Sequence, residues 1–274
     1  MPNQASLNPL ILSKFVLWIA VVVIATLFLN RRKVTAKVRL VFLIGGVLVF
    51  GFAYALLIQM DQAGANPNPV LSLRTLLTSV LVQHRFLLPI AGMLVALLLM
   101  VLVSNKSICG WGCQLGLLQD LLYRVKLPKW KPPFWLSNTV RVVAFVALIA
   151  GLVTVGVDWI KGIDPFQLFS FKFTLGVGLF SAVVLVASLF IYRPWCQFLC
   201  PFGLVGWLVE QVSLLRPRIN RDVCKRCQLC VKACPTHAME HYYEGKAIHA
   251  DCFACGACIE ACPVKDALGW RIRK

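Results

Sequence analysis

Residues 224–234 read CKRCQLCVKAC and are followed by Pro235; residues 252–262 read CFACGACIEAC and are followed by Pro263. Each half is C-x2-C-x2-C-x3-C-P, a spacing that places thiolates on [4Fe–4S] cubes. Three close cysteines can cap three irons of one cube. The fourth, three residues on and followed by proline, is carried away from it. The spacing therefore assigns Cys224, Cys227, Cys230 and Cys262 to one cluster and Cys252, Cys255, Cys258 and Cys234 to a second. A zinc site would show two ligands, a long gap and two more.

Outward from this tail the chain changes character. Of its 274 residues 59% are hydrophobic and 14% charged, which is too apolar for a soluble protein of this length and implies several membrane spans. There are 12 cysteines; the four outside the tail form two pairs, Cys109 with Cys113 and Cys196 with Cys200, so the set is ligand-like and no disulfide framework. A net charge of +17 raises nucleic acid as a partner, but the basic residues sit in short segments between apolar runs, as membrane topology demands. Nucleic acid is excluded on that ground.

Five apolar runs predict five transmembrane helices, near 15–29, 41–57, 86–103, 139–157 and 173–191. The first is expected to be a retained span. Arg31, Arg32, Lys33, Lys37 and Arg39 follow it with no acid between them, and Lys106, Arg124, Lys126, Lys129 and Lys131 follow the third against Asp120 alone. Arg193 marks the inner end of the fifth. These charges place the N-terminus outside and the tail in the cytoplasm. The segment 70–81 is too short to cross and predicts a half-buried interfacial helix.

Spans two and three enclose NPVLSL and end in CGWGCQLGLLQDLLYRV; spans four and five enclose DPFQLF and end in CQFLCPFGLVGWLVEQV. This is a parallel duplication, of the kind commonly related by an axis along the membrane normal. The fold expected is an all-α polytopic membrane domain of about five helices with a parallel internal repeat, carrying a C-terminal α+β ferredoxin-like domain. Its parts are an N-terminal helix and basic loop over 1–38, the duplicated four-helix domain over 39–215, and the two-cluster domain over 216–274. Cysteines four apart on one helix are separated by about 400° and share a face, which puts both pairs at the cytoplasmic ends of their spans. Cys109, Cys113, Cys196 and Cys200 could then converge as a third iron–sulfur site or a zinc or monovalent copper site. Dithiols cycling through disulfides and inert packed cysteines are the other readings.

The combination of paired C-x3-C helices, outer Asn-Pro and Asp-Pro segments and the CKRCQLC…CFACGAC tail resembles the NapH-type membrane ferredoxins, regarded as membrane subunits of quinol dehydrogenases. CGWGCQLGLLQDLL is also similar to the membrane region of NosR. Gln114 stands where the family has proline, whereas Pro201 keeps the pattern, and the extra N-terminal span departs from four-span members. The resemblance implies electron exchange between the quinone pool and other redox subunits at a bacterial cytoplasmic membrane. Quinol chemistry needs a proton acceptor; His84, Arg85 and Asp61 are the residues singled out, with Asp158 and Asp164 in the second outer turn. His237, His241 and His249 are expected on the tail's surface. Rival functions are a copper-centre maturation factor using the membrane cysteine pairs, and a membrane anchor of a redox complex.

Overall fold

The computed structural model describes residues 9–60, 66–171 and 174–273. Asp61 lies outside them. Helix α1 (Pro9–Asn30) is followed by α2 (Ala36–Gly46), a π-helical segment (Val47–Ala53) and α3 (Tyr54–Met60), which run on as one rod. Thr35 caps α2 by accepting the Val38 N–H. Asn68 does the same for Leu71 at the start of α4 (Pro69–Leu81), where Pro69 occupies a position whose N–H would be orphaned anyway. Next come α5 (Leu88–Ser104), short α6 (Ser107–Trp111), α7 (Gln114–Tyr123) and α8 (Phe134–Thr154). Two 3-10 turns, Trp159–Gly162 and Pro165–Ser170, are capped by the Asp158 and Asp164 carboxylates. They lead into α9 (Leu175–Ala187), short α10 (Pro194–Phe198) and α11 (Pro201–Glu210).

The tail starts at β1 (Leu215–Ile219), which pairs antiparallel with β2 (Leu268–Ile272) from the chain's end. Between the strands lie α12 (Leu229–Ala233), α13 (Ala238–Glu244) and α14 (Ala257–Ala261). Helix α12 packs on α14, which brings the two cysteine runs side by side.

This is the expected helical membrane protein with a ferredoxin-like tail, but the expected spans are unequal. Among the described residues only α1, the α2–α3 rod and α8 are long and apolar enough to cross a membrane. Helix α5, with 17 residues, and α9, with 13, rise about 25 and 20 Å at 1.5 Å per residue. Both stop short because the chain then turns back. Helix α6 packs between α1 and α5, and Trp18 Nε1 of α1 donates to Gly112 O at 3.0 Å. Trp18 lies twelve residues before Asn30, so Gly112 is about 18 Å of helix rise from the tail-side end of α1. The cysteine segments are thus re-entrant. They are not at the ends of the spans, as expected from sequence. Non-helical backbone at that depth is tolerated because protein encloses it. Helix α4 likewise packs on α5, α8 and α11, with Val70 and Leu73 in the bundle core.

Helix α1 is the element outside the repeat, and it joins the two parts. Its Trp18 and Val22 belong to the membrane core; its Ala25 and Leu29 belong to a second core with Trp111, Met239, Ala254 and Trp270. Past its end, Arg32 donates to Ile259 O, Cys262 O and Val264 O, and Ala36 N donates to Glu260 Oε1 at 2.7 Å.

Candidate iron–sulfur relay

The pairs Cys109/Cys113 and Cys196/Cys200 do not share a helix. Cys109 lies in α6 and Cys113 is the extended residue before α7; Cys196 lies in α10 and Cys200 is the extended residue before α11. Pro201 enforces the second break, since the residue before proline avoids the helical region. The first break forms without a proline. The two thiols of a pair therefore do not share a helical face, yet all four lie near one another. Each of the four lies within electrostatic reach of the other three, and all are in the same core with Trp18, Phe169 and Phe202.

The ends of α7 and α11 face these sulfurs. Leu115 and Gly116 N–H groups bond to Cys113, and Gly203 N–H donates to Cys200 Sγ at 3.2 Å. Gln119 Nε2 donates to Cys196 Sγ at 3.8 Å. Donors at a helix N-terminus stabilise negative charge on sulfur. Gly116 and Gly203, both three residues after the inner cysteine, leave no room for a side chain: a Cβ would lie 2.8 Å from Cys109 O and 2.6 Å from Cys196 O respectively.

Four cations surround the thiols. Arg39, Lys106, Arg141 and Arg193 are 2, 0, 1 and 0% exposed. By sequence Arg39, Lys106 and Arg193 are loop charges that set topology; in the structure they are internal. They follow the duplication. Lys106 and Arg193 each stand three residues before the first cysteine, and each reaches into the other repeat. Lys106 bonds Gly203 O at 3.0 Å, and Arg193 bonds Cys109 O and Gly110 O. Arg39 and Arg193 share Asp120, at 2.8 and 2.9 Å. Lys106 and Arg141 share Asp251, and Lys106 is 3.4 Å from Glu210. Four cations face three acids, and Nε of Arg39, Arg141 and Arg193 finds no protein partner among the described residues. A thiolate-bound cube, which is anionic, fits this excess of buried positive charge. The K/R-x2-C-x3-C spacing, read across both repeats, would have exposed Lys106 and Arg193.

In the tail, Cys230 lies within electrostatic reach of Cys224 and Cys262, and Cys258 within reach of Cys234, Cys255, Cys252 and Cys230. A cavity is lined by Cys234, Cys252, Cys255 and Cys258 together with Phe253 and Tyr192. Burial, then neighbouring negative charge, pushes the Cys252 and Cys258 thiols up; a bound metal is what makes such thiolates stable. Among the described residues no three His, Cys, Asp or Glu side chains stand close enough for one ion.

The second cysteine run is plugged into the membrane domain. Trp111 Nε1 donates to Ala254 O at 2.8 Å, and Cys252 N donates to Glu210 Oε1 at 2.7 Å. Phe253 enters the core that holds the four membrane cysteines, under the Arg193 guanidinium at 5.1 Å. A Cβ on Gly110 would lie 2.0 Å from Phe253 O. Asp251, raised by burial but held down more strongly by Arg141 and Lys106, stays below the ordinary carboxylate range.

His249 is buried, contrary to the expected surface position: Tyr242 lies on its ring at 4.4 Å and Glu210 lies 3.5 Å from its Nδ1. His84 and Arg85 are exposed in the turn between α4 and α5 and are not joined to the cysteine core. Asp158 and Asp164 are instead brought together, both held by Arg74 at 2.7 and 2.5 Å.

Fold and donor sets define a polytopic membrane protein built from ferredoxin-type iron–sulfur domains. The family model of the 4Fe-4S dicluster domain matches residues 216–263, and that of the 4Fe-4S binding domain matches twice, over 86–134 and 173–221. The second model thus picks out both halves of the duplication, cysteine pairs included. The chain is similar to YccM of Escherichia coli (27% identical, covering 66% of this chain and 56% of that one). It is also similar to the methylamine utilization ferredoxin-type protein MauN of Methylorubrum extorquens (30%; 61% and 59%) and the ferredoxin-type protein NapH of Haemophilus influenzae (26%; 61% and 63%). It spans a little over half the length of YccM and MauN. No solved structure matches it. The chain is thus similar to ferredoxin-type proteins, NapH and MauN among them.

Proposed function

We propose that this protein relays electrons between quinone or quinol in the membrane and a redox partner at the tail's surface. Three ligand sets carry the relay: Cys109, Cys113, Cys196 and Cys200 within the bundle; Cys234, Cys252, Cys255 and Cys258 beneath the tail; and Cys224, Cys227, Cys230 and Cys262 at its outer end. A cube held by each set supplies reversible one-electron transfer. The protein's part is placement. Phe253 and Ala254 bridge the inner tail set to Gly110 and Trp111 beside Cys109, and α12 against α14 joins the two tail sets. At the far end Cys227 is exposed, within a run that also exposes Lys225 and Arg226 and suits an acidic partner. In this reading the N-terminus is outside and the tail cytoplasmic, as the exposed loop charges indicate.

The observation that carries the reading is the contact of the Phe253 carbonyl with Gly110. It sets the backbone of the tail's second cysteine run against α6, the helix that carries Cys109. Copper maturation is less well served. The four membrane cysteines are 7, 6, 6 and 7% exposed and cannot hand a metal to an incoming carrier.

Anaerobically prepared full-length protein should hold about twelve irons and as much acid-labile sulfide, four per set. Cys196→Ser with Cys200→Ser should remove about a third of the iron while the tail clusters keep their paramagnetic signals after dithionite. An unchanged iron content in that variant would overturn the third site. Wild-type clusters that exchange no electrons with a quinol analogue would overturn the relay.

A further inference from the structure

A polar cavity opens on the side of the four membrane cysteines away from the tail. It is bounded by α3, the start of α4 and the 3-10 turn Pro165–Ser170, and Gln59, Asn66, Asn68, Asp164, Gln167 and Ser170 give it polar walls. Ala55, Ile58, Leu71 and Phe166 complete it with apolar surface. A headgroup with a flat ring and two opposed oxygens needs this mixture: an apolar slot with polar groups at both ends.

Two links connect the cavity to the cysteines. Lys14 of α1 is fully buried, and its ammonium donates to Asn66 Oδ1 at 2.5 Å, Pro67 O at 2.8 Å and Phe50 O at 3.1 Å. It also lies in the field of Cys113. Lys14 sits one turn, about 6 Å, beyond Trp18, the residue bonded to Gly112. The second link is Phe169. It lies against Gly51, where a Cβ would be 2.7 Å from its ring and 3.5 Å from Gln114 Cβ, the residue after Cys113. Gln114 Oε1 is buried there with no partner among the described residues. The π-helical segment fits the same purpose. Its widened turn frees the Phe50 and Gly51 carbonyls, which Lys14 and Asn66 take, and such segments concentrate at functional sites.

Among the described residues that line the cavity, Asp164 is the one acid, and it is positioned to move a proton. Asp164 is buried, caps Phe166 N at 3.1 Å and is held by Arg74 at 2.5 Å. Burial raises its carboxyl above the ordinary range, and Arg74 opposes that only in part.

Resting on the quinol reading above, we infer that this cavity seats the quinone headgroup, with Gln59 bonding one oxygen, Asn66 Oδ1 accepting from a hydroxyl of the quinol form through the lone pair that Lys14 leaves free, and Asp164 exchanging a proton with one of the oxygens. In the oxidising direction the quinol loses two protons and two electrons. Both O–H bonds break, and one proton goes to the Asp164 carboxylate and one to water at that face. The two electrons pass one at a time toward the membrane cysteine set and on to the oxidised partner at the tail. Reduction runs the same steps backward. His84 and Arg85 take no part.

The test uses the full chain, loaded with clusters, in lipid nanodiscs with a photoreactive azido-quinone as probe. Labelled peptides should map to 55–59, 66–71 and 164–170, and excess unlabelled quinone should suppress the label. Gln59→Leu and Asn66→Leu should each raise the quinol concentration for half-maximal cluster reduction roughly tenfold, with dithionite-reduced spectra unchanged. Asp164→Asn should slow reduction by quinol without altering labelling. Label on the apolar groove lined by Leu17, Phe42, Gly45 and Trp111, with normal reduction in all three variants, would overturn the assignment and leave the relay standing. A wild-type protein that neither labels nor is reduced by quinol would overturn both.

Discussion

Gly110 lies against the tail's backbone with no room for a side chain, and a single methyl group tests that contact. The atom that a Cβ would meet at 2.0 Å is a backbone carbonyl, which cannot swing aside. Gly46 offers the contrast: there a Cβ would meet Leu117 Cδ1 at 2.4 Å, the far end of a flexible side chain. Gly110→Ala should therefore cost about 1–3 kcal/mol and lift the Asp251–Gly256 loop, whereas Gly46→Ala should cost less. Thermal unfolding and amide exchange of residues 250–256 check both. None of this contact is visible in the sequence, where Gly110 is one more small residue in a turn. The buried cations escaped for a related reason. Charge counting cannot distinguish an arginine in a loop from one sealed in a core, so Arg39 and Arg193 pass as topology markers. The tail cysteines were legible because their meaning lies in spacings of three to four residues.

At the scale of elements, the decisive event is the break before α7 and α11. A continuous helix through each C-x3-C would carry both thiols on one stripe. The break turns Cys113 and Cys200 into cap residues whose sulfurs receive N–H bonds. Pro201 announces the second break in the sequence, while Gln114 conceals the first. Cys113 has φ −77° and ψ 113°, a conformation that a following proline accepts, and Gln114 is the first helical residue, where a proline costs no hydrogen bond. Gln114→Pro should fold with unchanged iron content and a stability equal to wild type or up to about 1 kcal/mol higher. A chemical denaturation curve with iron quantified alongside decides it. Loss of the membrane site would show that the Gln114 amide does more than begin a helix. The repeat itself was legible, since both halves preserve the order of segments. Re-entry was not, because hydropathy reports which residues are apolar and is blind to a chain reversing direction inside the bundle.

Across the whole molecule, α1 behaves as a strap. It contributes to both cores, and the residues just past its end grip the loop that carries Cys262. Arg32 alone supplies bonds of 2.9, 3.3 and 2.9 Å to three carbonyls there. Hydrogen bonds from a charged donor contribute about 1.5–3 kcal/mol, so Arg32→Ala should raise amide exchange in residues 257–264 by roughly tenfold or more while the bundle's protection is unchanged. Equal exchange in both proteins would mean that the strap is redundant. The sequence shows α1 as an apolar run outside the repeat, and the tail partners of the residues just past its end lie more than two hundred residues away, beyond any local pattern.

That strap has a kinetic corollary. Several redox proteins move a cofactor-bearing head between donor and acceptor, and their turnover slows as the medium thickens. Here the head is pinned by Trp111, Glu210, Asp251 and Arg32 at once. Its internal steps should therefore be indifferent to glycerol, with only the arrival of the outside partner feeling the drag.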